Sequence, residues 1–317
     1  MTLTLKILKS VYGGDGLARL GDGRVAFVPG VFPGETVKAK IVEEKRRFVQ
    51  CEVVEILESS PERIEPGATV PGMVYAAVTP KAELEFKRLQ LENFLQKIPG
   101  KPVPIAVHKE FKPLNYRNKA TYRYRKTASG LEMGYLREGT HEVVDTPCDI
   151  LAVREINEKL PSIRTDVKTL LTQGASRVRK WAEDAEVVTV RWTALDGVRW
   201  WIGEKPKDLV LREGTCNLVF KVAPDGFYQV NPSVGEDLVK SVVAAYLQKS
   251  EEMPHILDLY CGVGVFGICC AKANKQPSMP VRLVGAEMSQ EAVRLAKENA
   301  AVSSSMRRSS SSKRDWP

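Results

Sequence analysis

The sequence predicts a mixed α/β plus β protein. It has an N-terminal OB-like barrel, a central α+β region and an incomplete Rossmann-like domain. Three observations lead there. Short alternating apolar runs between glycine turns fill residues 1 to 60. A basic, tyrosine-rich stretch occupies the middle of the chain. From His255 the pattern switches to strand, glycine turn, helix, strand and helix, the start of a parallel doubly wound sheet.

Composition narrows the options. The 317 residues suffice for two or three domains, and 43% hydrophobic with 27% charged residues exclude a wholly disordered chain. No apolar run approaches the roughly 20 residues of a membrane helix. Met1 to Ser10 has no signal-peptide core. A cytoplasmic monomer with no membrane partner is therefore expected. Cys51, Cys148, Cys216, Cys261, Cys269 and Cys270 include no Cys-x-x-Cys pair, which speaks against a disulfide framework or a zinc site. His108, His141 and His255 share no metal-ligand spacing. The net charge of +8 makes a polyanionic partner plausible, and residues 101 to 140 concentrate it, with nine Lys/Arg against three Glu.

In order along the chain, residues 1–60 form the barrel. Leu3, Leu5 and Ile7 alternate with polar residues, as do Val37, Ala39 and Ile41, then Val49, Cys51 and Val53. Val25 to Val28 is a short strand closed by Pro29-Gly30, and Pro33-Gly34 turns the chain again. Residues 61–80, rich in Pro and Gly, read as a linker. The central region, 81–250, opens with a helix over 81–98, with Leu84, Leu91, Leu95 and Ile98 on one face and Pro99-Gly100 as its stop. Residues 101–148 look extended. Asp149 to Gly174 reads as a helix in two pieces divided by Pro161, with Ile156, Leu160, Ile163, Val167 and Leu170 along its apolar stripe. Val187 to Ile202 is a hairpin turning at Asp196-Gly197, and Asn217 to Val230 a second one turning at Pro224-Asp225-Gly226. A helix over 233–247 follows, with a Ser233/Glu236 capping box. Residues 251–300 hold the partial Rossmann-like unit, and 301–317 a low-complexity basic tail.

The strongest chemical signal is Asp258-Leu259-Tyr260-Cys261-Gly262-Val263-Gly264 directly after a strand, with Glu287 ending the next strand. Gly262 and Gly264 let a backbone approach a ligand closely, and Glu287, 23 residues after Gly264, suits a ribose diol. Gly262 to Gly267 also matches the Gly-x-Gly-x-x-Gly pattern of nicotinamide sites. The Asp-Leu-Tyr-Cys-Gly lead-in argues instead for S-adenosylmethionine (SAM). Asn115 to Lys126 carries five basic residues, three tyrosines and no acid. On an extended strand, Tyr122 and Tyr124 face one side while Arg123 and Arg125 face the other. Arginines can then hold phosphates, while the tyrosines either stack on bases or pack inward.

The ordered run from Gly13 through Val28-Pro29-Gly30, Pro33-Gly34-Glu35 and Ser60-Pro61-Glu62-Arg63 closely resembles a TRAM domain, a small RNA-binding barrel. Together with Phe227-Tyr228-Gln229-Val230-Asn231-Pro232, the 258–264 turn and Val284-Gly285-Ala286-Glu287, residues 1–300 resemble the RNA uracil-C5 methyltransferases, which make 5-methyluridine in ribosomal or transfer RNA. The resemblance implies SAM as cofactor, contacted by Gln229, Tyr260 and Glu287, with Asp258, Gly262 and Gly264 of the turn completing the expected site. It implies RNA as partner, with Arg117, Lys119, Tyr122, Arg123, Arg125 and Lys126 contacting it. It makes Cys261 a packing residue rather than the nucleophile. Many members hold an iron–sulfur cluster on four cysteines. Cys148 matches the fourth, but Pro66 to Thr79 has no cysteine for the other three, so no cluster is expected.

The implied chemistry adds a thiolate to uracil C6, lets C5 attack the SAM methyl, and uses a carboxylate to remove the C5 proton. In the family the Cys and Glu concerned lie beyond the second strand of the cofactor domain, where this chain offers only 301–317. No catalytic nucleophile or base is therefore assigned. The expectation is a truncated or frameshifted, inactive methyltransferase. The alternatives are a genuine basic RNA-binding tail, a non-catalytic RNA-binding protein, or a methyltransferase for another substrate, which would leave the barrel and the basic strand unexplained.

Overall fold

The computed structural model describes residues 2–100, 105, 112–128, 130–172, 186–248, 255–274 and 281–305; of the tail expected over 301–317, residues 301–305 are helical and the rest lies outside the described residues. The chain divides into two compact units, Met1–Pro113 and Leu114–Pro317.

In the first unit, alternation dictates the sheet. Strands β1 (Thr2–Lys6), β2 (Lys9–Ser10), β3 (Gly16–Arg19), β4 (Val25–Val28), β5 (Thr36–Glu44) and β6 (Phe48–Glu58) pair in the order β1-β5-β6-β4-β3-β2. Their inward positions, including Leu5, Ala18, Ala26, Val28, Val37, Ala39, Val49 and Cys51, make one core. The Leu8 amide donates to the Leu17 carbonyl and draws the chain after β1 back onto β3. The N-terminal strands expected within residues 1–60 are thus gathered into one six-stranded sheet.

The neighbouring segment differs from its reading. Residues 61–80 are not a free linker: Val70 and Val78 are buried, and the Arg63 guanidinium grips the fully buried Glu35 through Nε and Nη2 at 2.6 and 2.9 Å. Helix α1 (Pro80–Leu95) is capped by Thr79 and belongs to this unit. Its buried side is Ala82, with Phe86 stacked on Phe32, whereas Leu91 and Ile98 are exposed.

The second unit opens with an antiparallel sheet, β11-β10-β7-β8-β9. Its strands are β7 (Lys119–Thr127), β8 (Gly130–Leu136), β9 (Val143–Asp145), β10 (Glu186–Thr193) and β11 (Gly197–Ile202). Helix α2 (Arg154–Thr172) lays Ile156, Leu160, Ile163 and Val167 on one face, against Tyr122, Tyr124, Val188 and Val190. The helix is continuous, not broken at Pro161. That ring sits on the exposed side, where the missing amide leaves no buried group unpaired.

The second hairpin turns elsewhere than expected. Strands β12 (Leu211–Thr215) and β13 (Leu218–Val222) are joined by Cys216 and Asn217, both at positive φ (51° and 60°). Residues 223–231 are a loop. Helix α3 (Pro232–Leu247) follows, with Asn231 as N-cap in place of Ser233. Then come β14 (His255–Leu259), α4 (Val265–Ala273), β15 (Arg282–Ala286) and α5 (Gln290–Ser305), with β14 and β15 parallel. The apolar sides of β12 and β13 share one core with α3, α4 and α5 around Phe220, Val239, Ile268 and Leu295.

Glu35 yields a pH test. Burial pushes its carboxyl up, but the Arg63 guanidinium and the Phe32 and Ser60 amides outweigh that, so its pKa lies below the ordinary carboxylate value. Its stabilisation is complete above the unfolded-state pKa, near ~4.3, and is lost as pH falls through the lower folded value. Glu35→Gln is expected to lower the first unit's stability by about 3 kcal/mol at neutral pH. Calorimetric melting of the variant and the native chain should converge under strongly acidic conditions.

Candidate functional site

Strand β14 delivers the chain into a turn that the sequence builds from left-handed residues. Tyr260, Gly262 and Gly264 have φ of 59°, 54° and 85°. Tyr260 is held there with its side chain in solvent, at 92% exposure. Nothing lies within 4 Å of where a Cβ on Gly262 would stand, so this glycine opens onto free space. Gly267 serves packing instead: a Cβ there would come within 2.6 Å of Leu283 and 3.0 Å of the Asp258 carboxylate.

Two carboxylates hold the turn. Asp258 Oδ2 accepts from the Gly267 amide at 2.9 Å, and burial raises the Asp258 pKa against that bond. Glu287 Oε2 accepts from the Gly262 amide at 3.1 Å, and its Oε1 accepts from Met288 and Ser289 at 2.7 and 2.9 Å. The Ser289 amide does most to hold the Glu287 pKa down, so the group stays ionised. Asn299, 2% exposed on α5, donates to the carbonyls of Val263 and Lys221 and accepts from the Lys221 amide. It ties the turn to β13.

Beside the turn lies an open cleft. Its walls come from β12, the loop before α3, the first turns of α3, and the turn after β14. Gln229, Tyr260 and Gly262 line it together. Gly235 lets α3 close under Gln229, since a Cβ there would sit 2.8 Å from the Gln229 Cβ. Glu287 bonds the Gly262 amide but does not itself line the cleft. Asp258 acts on the helix amide, and Gly264 caps α4. Neither Asp258 nor Gly264 is among the residues that line the cleft.

Among the wall residues that sequence reading did not assign to the site are Glu213, Phe227, Tyr228, Glu236 and Phe266. Glu213 had a signal. It occupies an inward position of β12 between Leu211 and Thr215, where an apolar residue belongs, and it is 5% exposed. Burial raises its carboxyl pKa, opposed by Arg191 at 2.9 Å. Cys261 also lines the cleft, buried and with its thiol pushed up by desolvation, as a wall residue would be.

The basic strand is largely engaged within the fold. Tyr122 is fully buried, and its hydroxyl donates to Asp149 at 2.9 Å, so it cannot stack on a base. The alternation was right, but the tyrosine face is the core face. Arg117 is half-buried beside Tyr116, Lys119 donates to the Asp225 carbonyl at 2.9 Å, and Arg125 pairs with Glu132 at 2.6 Å. Arg123 is half-buried with Nη1 enclosed, and Lys126 is exposed. No helix among the described residues is long and apolar enough to cross a membrane, and no three potential metal ligands cluster among them.

The TRAM domain family matches residues 1–54. An uncharacterized RNA methyltransferase of Aquifex aeolicus is 29% identical, the match covering 95% of this chain and 75% of the relative. The 23S rRNA (uracil(1939)-C(5))-methyltransferase RlmD of Acinetobacter baylyi is 27% identical over 94% of this chain and 73% of its own length. The crystal structure of Pyrococcus abyssi tRNA (uracil-54, C5)-methyltransferase with S-adenosyl-L-homocysteine superposes with a TM-score of 0.62. At 20% identity it covers 95% of this chain and 77% of that one, and it supports the fold. The TRAM match at the N-terminus and similarity along nearly the whole chain set it beside RNA methyltransferases. More particularly, the chain is a homologue of the RNA (uracil-C5) methyltransferases.

The two kinds of glycine can be separated. Gly267→Ala forces Leu283 and Asp258 aside and is expected to cost about 1–3 kcal/mol in denaturant unfolding. Gly262→Ala meets only the left-handed backbone penalty, about 1–2 kcal/mol, with no steric neighbour.

Proposed function

We propose that the cleft binds SAM and that the chain is the RNA- and donor-binding part of a uracil-C5 methyltransferase acting on ribosomal or transfer RNA. One observation carries the choice of donor over a nicotinamide dinucleotide. A pyrophosphate needs the glycine-turn amides as donors. Here the amides of Gly262 and Gly267 are already given to Glu287 and Asp258. The cleft wall adds two carboxylates, Glu213 and Glu236, with aromatic rings from Phe227, Tyr228, Tyr260 and Phe266, and no basic side chain. That lining suits a cationic, adenine-bearing donor rather than a polyphosphate.

In this reading Glu287 accepts from the ribose hydroxyls with its free lone pairs, Tyr260 covers the adenosyl group, and Gln229 faces the methionine part. The bound SAM supplies an electrophilic methyl. The target uridine must be flipped out of any stack to reach it. Arg123 and Lys126 on β7 and the barrel supply RNA contacts.

None of the chain's own cysteines suits the attack on uracil C6. Cys269 and Cys270 are buried, with pKa values pushed up to about 12 and about 11. Burial also raises Cys51, Cys216 and Cys261. Cys148 is exposed but does not line the cleft. A thiolate is the attacking species, so these thiols are poor candidates. The chain alone is therefore proposed to bind without transferring methyl, which leaves a non-catalytic RNA-binding role as its activity in isolation.

Calorimetry of the purified chain should show SAM binding and no NADH binding. Glu287→Ala should weaken SAM by about tenfold or more, the worth of hydrogen bonds to a charged acceptor. NADH binding in place of SAM would overturn the donor assignment. Labelled methyl transfer to RNA lacking 5-methyluridine should stay at background; turnover would mean that one of these thiols reacts after all.

A further inference from the structure

The loop that carries Gln229 is held by the antiparallel sheet, not by the glycine-turn unit. Arg191 of β10 is 1% exposed, and its Nη1 donates to the carbonyls of Ala223, Pro224 and Gly226 at 3.1, 3.2 and 3.2 Å. Its Nη2 donates to Glu213 in the cleft wall at 2.9 Å. Lys119 of β7 donates to the Asp225 carbonyl between those acceptors at 2.9 Å. At the far end, the Asn118 amide donates to the Val230 carbonyl at 2.9 Å, and Trp192 donates back to Asn118 at 2.8 Å. Gln229 thus sits in a span fastened at both ends to β7 and β10. The same loop is also tied, through Lys205, to α5. The Asp225 carboxylate pairs with Lys205 at 3.0 Å, and Lys205 also pairs with Glu291, in the first turn of α5 just after Glu287.

We infer that Lys119 and Arg191 are positioning residues for donor binding, which set Gln229 against the cleft by fixing the 223–230 loop to the sheet, and that Lys119 is not an RNA phosphate ligand. This rests on the reading of the cleft as a SAM site. Three carbonyls converging on one guanidinium fix a backbone more tightly than side-chain packing does, because each bond restricts a different peptide plane. Without these donors the loop carbonyls turn to water and Gln229 loses its fixed place. The two roles for Lys119 differ in what they move. A phosphate ligand contributes to the salt dependence of RNA binding and not to donor affinity. A positioning residue does the reverse.

The test uses the full chain and four variants: Lys119→Met, Lys119→Arg, Arg191→Lys and, as a comparator on the exposed end of β7, Lys126→Met. SAM affinity is read by calorimetry, RNA binding by titration of poly(U) at several salt concentrations, and folding by thermal melting. Lys119→Met should weaken SAM by about tenfold, the worth of one charged hydrogen bond, with the RNA salt slope and melting temperature unchanged. Lys119→Arg, which keeps a donor for Asp225, should restore SAM affinity to within about twofold. Arg191→Lys keeps a charge for Glu213 but cannot reach three carbonyls, and should weaken SAM more than RNA. Lys126→Met should lower the salt slope by about one and leave SAM binding intact. Unchanged SAM affinity in Lys119→Met overturns the inference, as does a salt slope reduced by about one. So does a SAM loss that merely tracks a lowered melting temperature. If the unsubstituted chain fails to bind SAM, the reading of the cleft falls first, and the variants do not bear on it.

Discussion

The buried guanidinium of Arg191 is the constraint on which the second unit depends. Taking such a cation out of water is costly, and the cost is offset only when nearly every donor finds an acceptor. Here Nη1 has three carbonyls and Nη2 has a carboxylate, while Nε stays unpartnered. A hydrophobic residue could fill the same volume with less penalty. It could not select one geometry for a nine-residue loop with no secondary structure of its own. The loop has to hold Gln229 at one place on the cleft wall, and directional bonds do that where packing would leave several arrangements of equal energy.

The glycine turn works on the same logic at shorter range. Its amides are held by side chains from two strands, Asp258 on β14 and Glu287 after β15, so the parallel pairing of those strands and the shape of the turn fix one another. Asn299 adds a third tie from α5 to the Val263 carbonyl. A turn satisfied internally in this way presents side chains and open space to a ligand rather than free amides. The glycine spacing itself fits two cofactor classes, so what the turn presents to a ligand is set by the side chains around it.

Much of the fold was legible because periodicity reports burial directly. Alternation at Leu3, Leu5 and Ile7 and at Val37, Ala39 and Ile41 marks β1 and β5, and the stripe from Ile156 to Val167 marks α2. Asp196-Gly197 turns the β10–β11 hairpin as its dipeptide requires. The failures share a cause. Pro224-Asp225-Gly226 is a strong local turn signal, yet the hairpin closes at Cys216-Asn217, where a non-glycine residue is forced to positive φ by the pairing of Thr215 with Leu218. What Pro224 to Gly226 does is decided by Arg191, thirty-odd residues upstream, and no local pattern carries that. Of the six residues expected at a cofactor, three share a cleft and three do not line it. Gln229, Tyr260 and Gly262 meet at one cleft, while Glu213 was passed over because a single inward Glu on a short strand looks like an irregularity until its partner is seen.

The basic stretch shows why charge counted along a sequence overstates charge available to a polyanion. Residues 101 to 140 hold nine basic side chains, but a cation acts on RNA only if its donors are not already engaged. Lys119 spends its ammonium on a backbone carbonyl, and Arg125 and Arg137 are paired with Glu132 and Glu142 at 2.6 and 2.7 Å. Arg117 lies half-buried over Tyr116. These are the residues that give the sheet its shape, and burial lowers the Lys119 pKa further, with Arg191 adding to the effect. The Tyr face of the strand is consumed in the same way, by α2 and by Asp149. What distinguishes a structural cation from a binding one is the position of its nearest acceptor in the folded chain. For Lys119 that acceptor lies 106 residues away in sequence and 2.9 Å away in space.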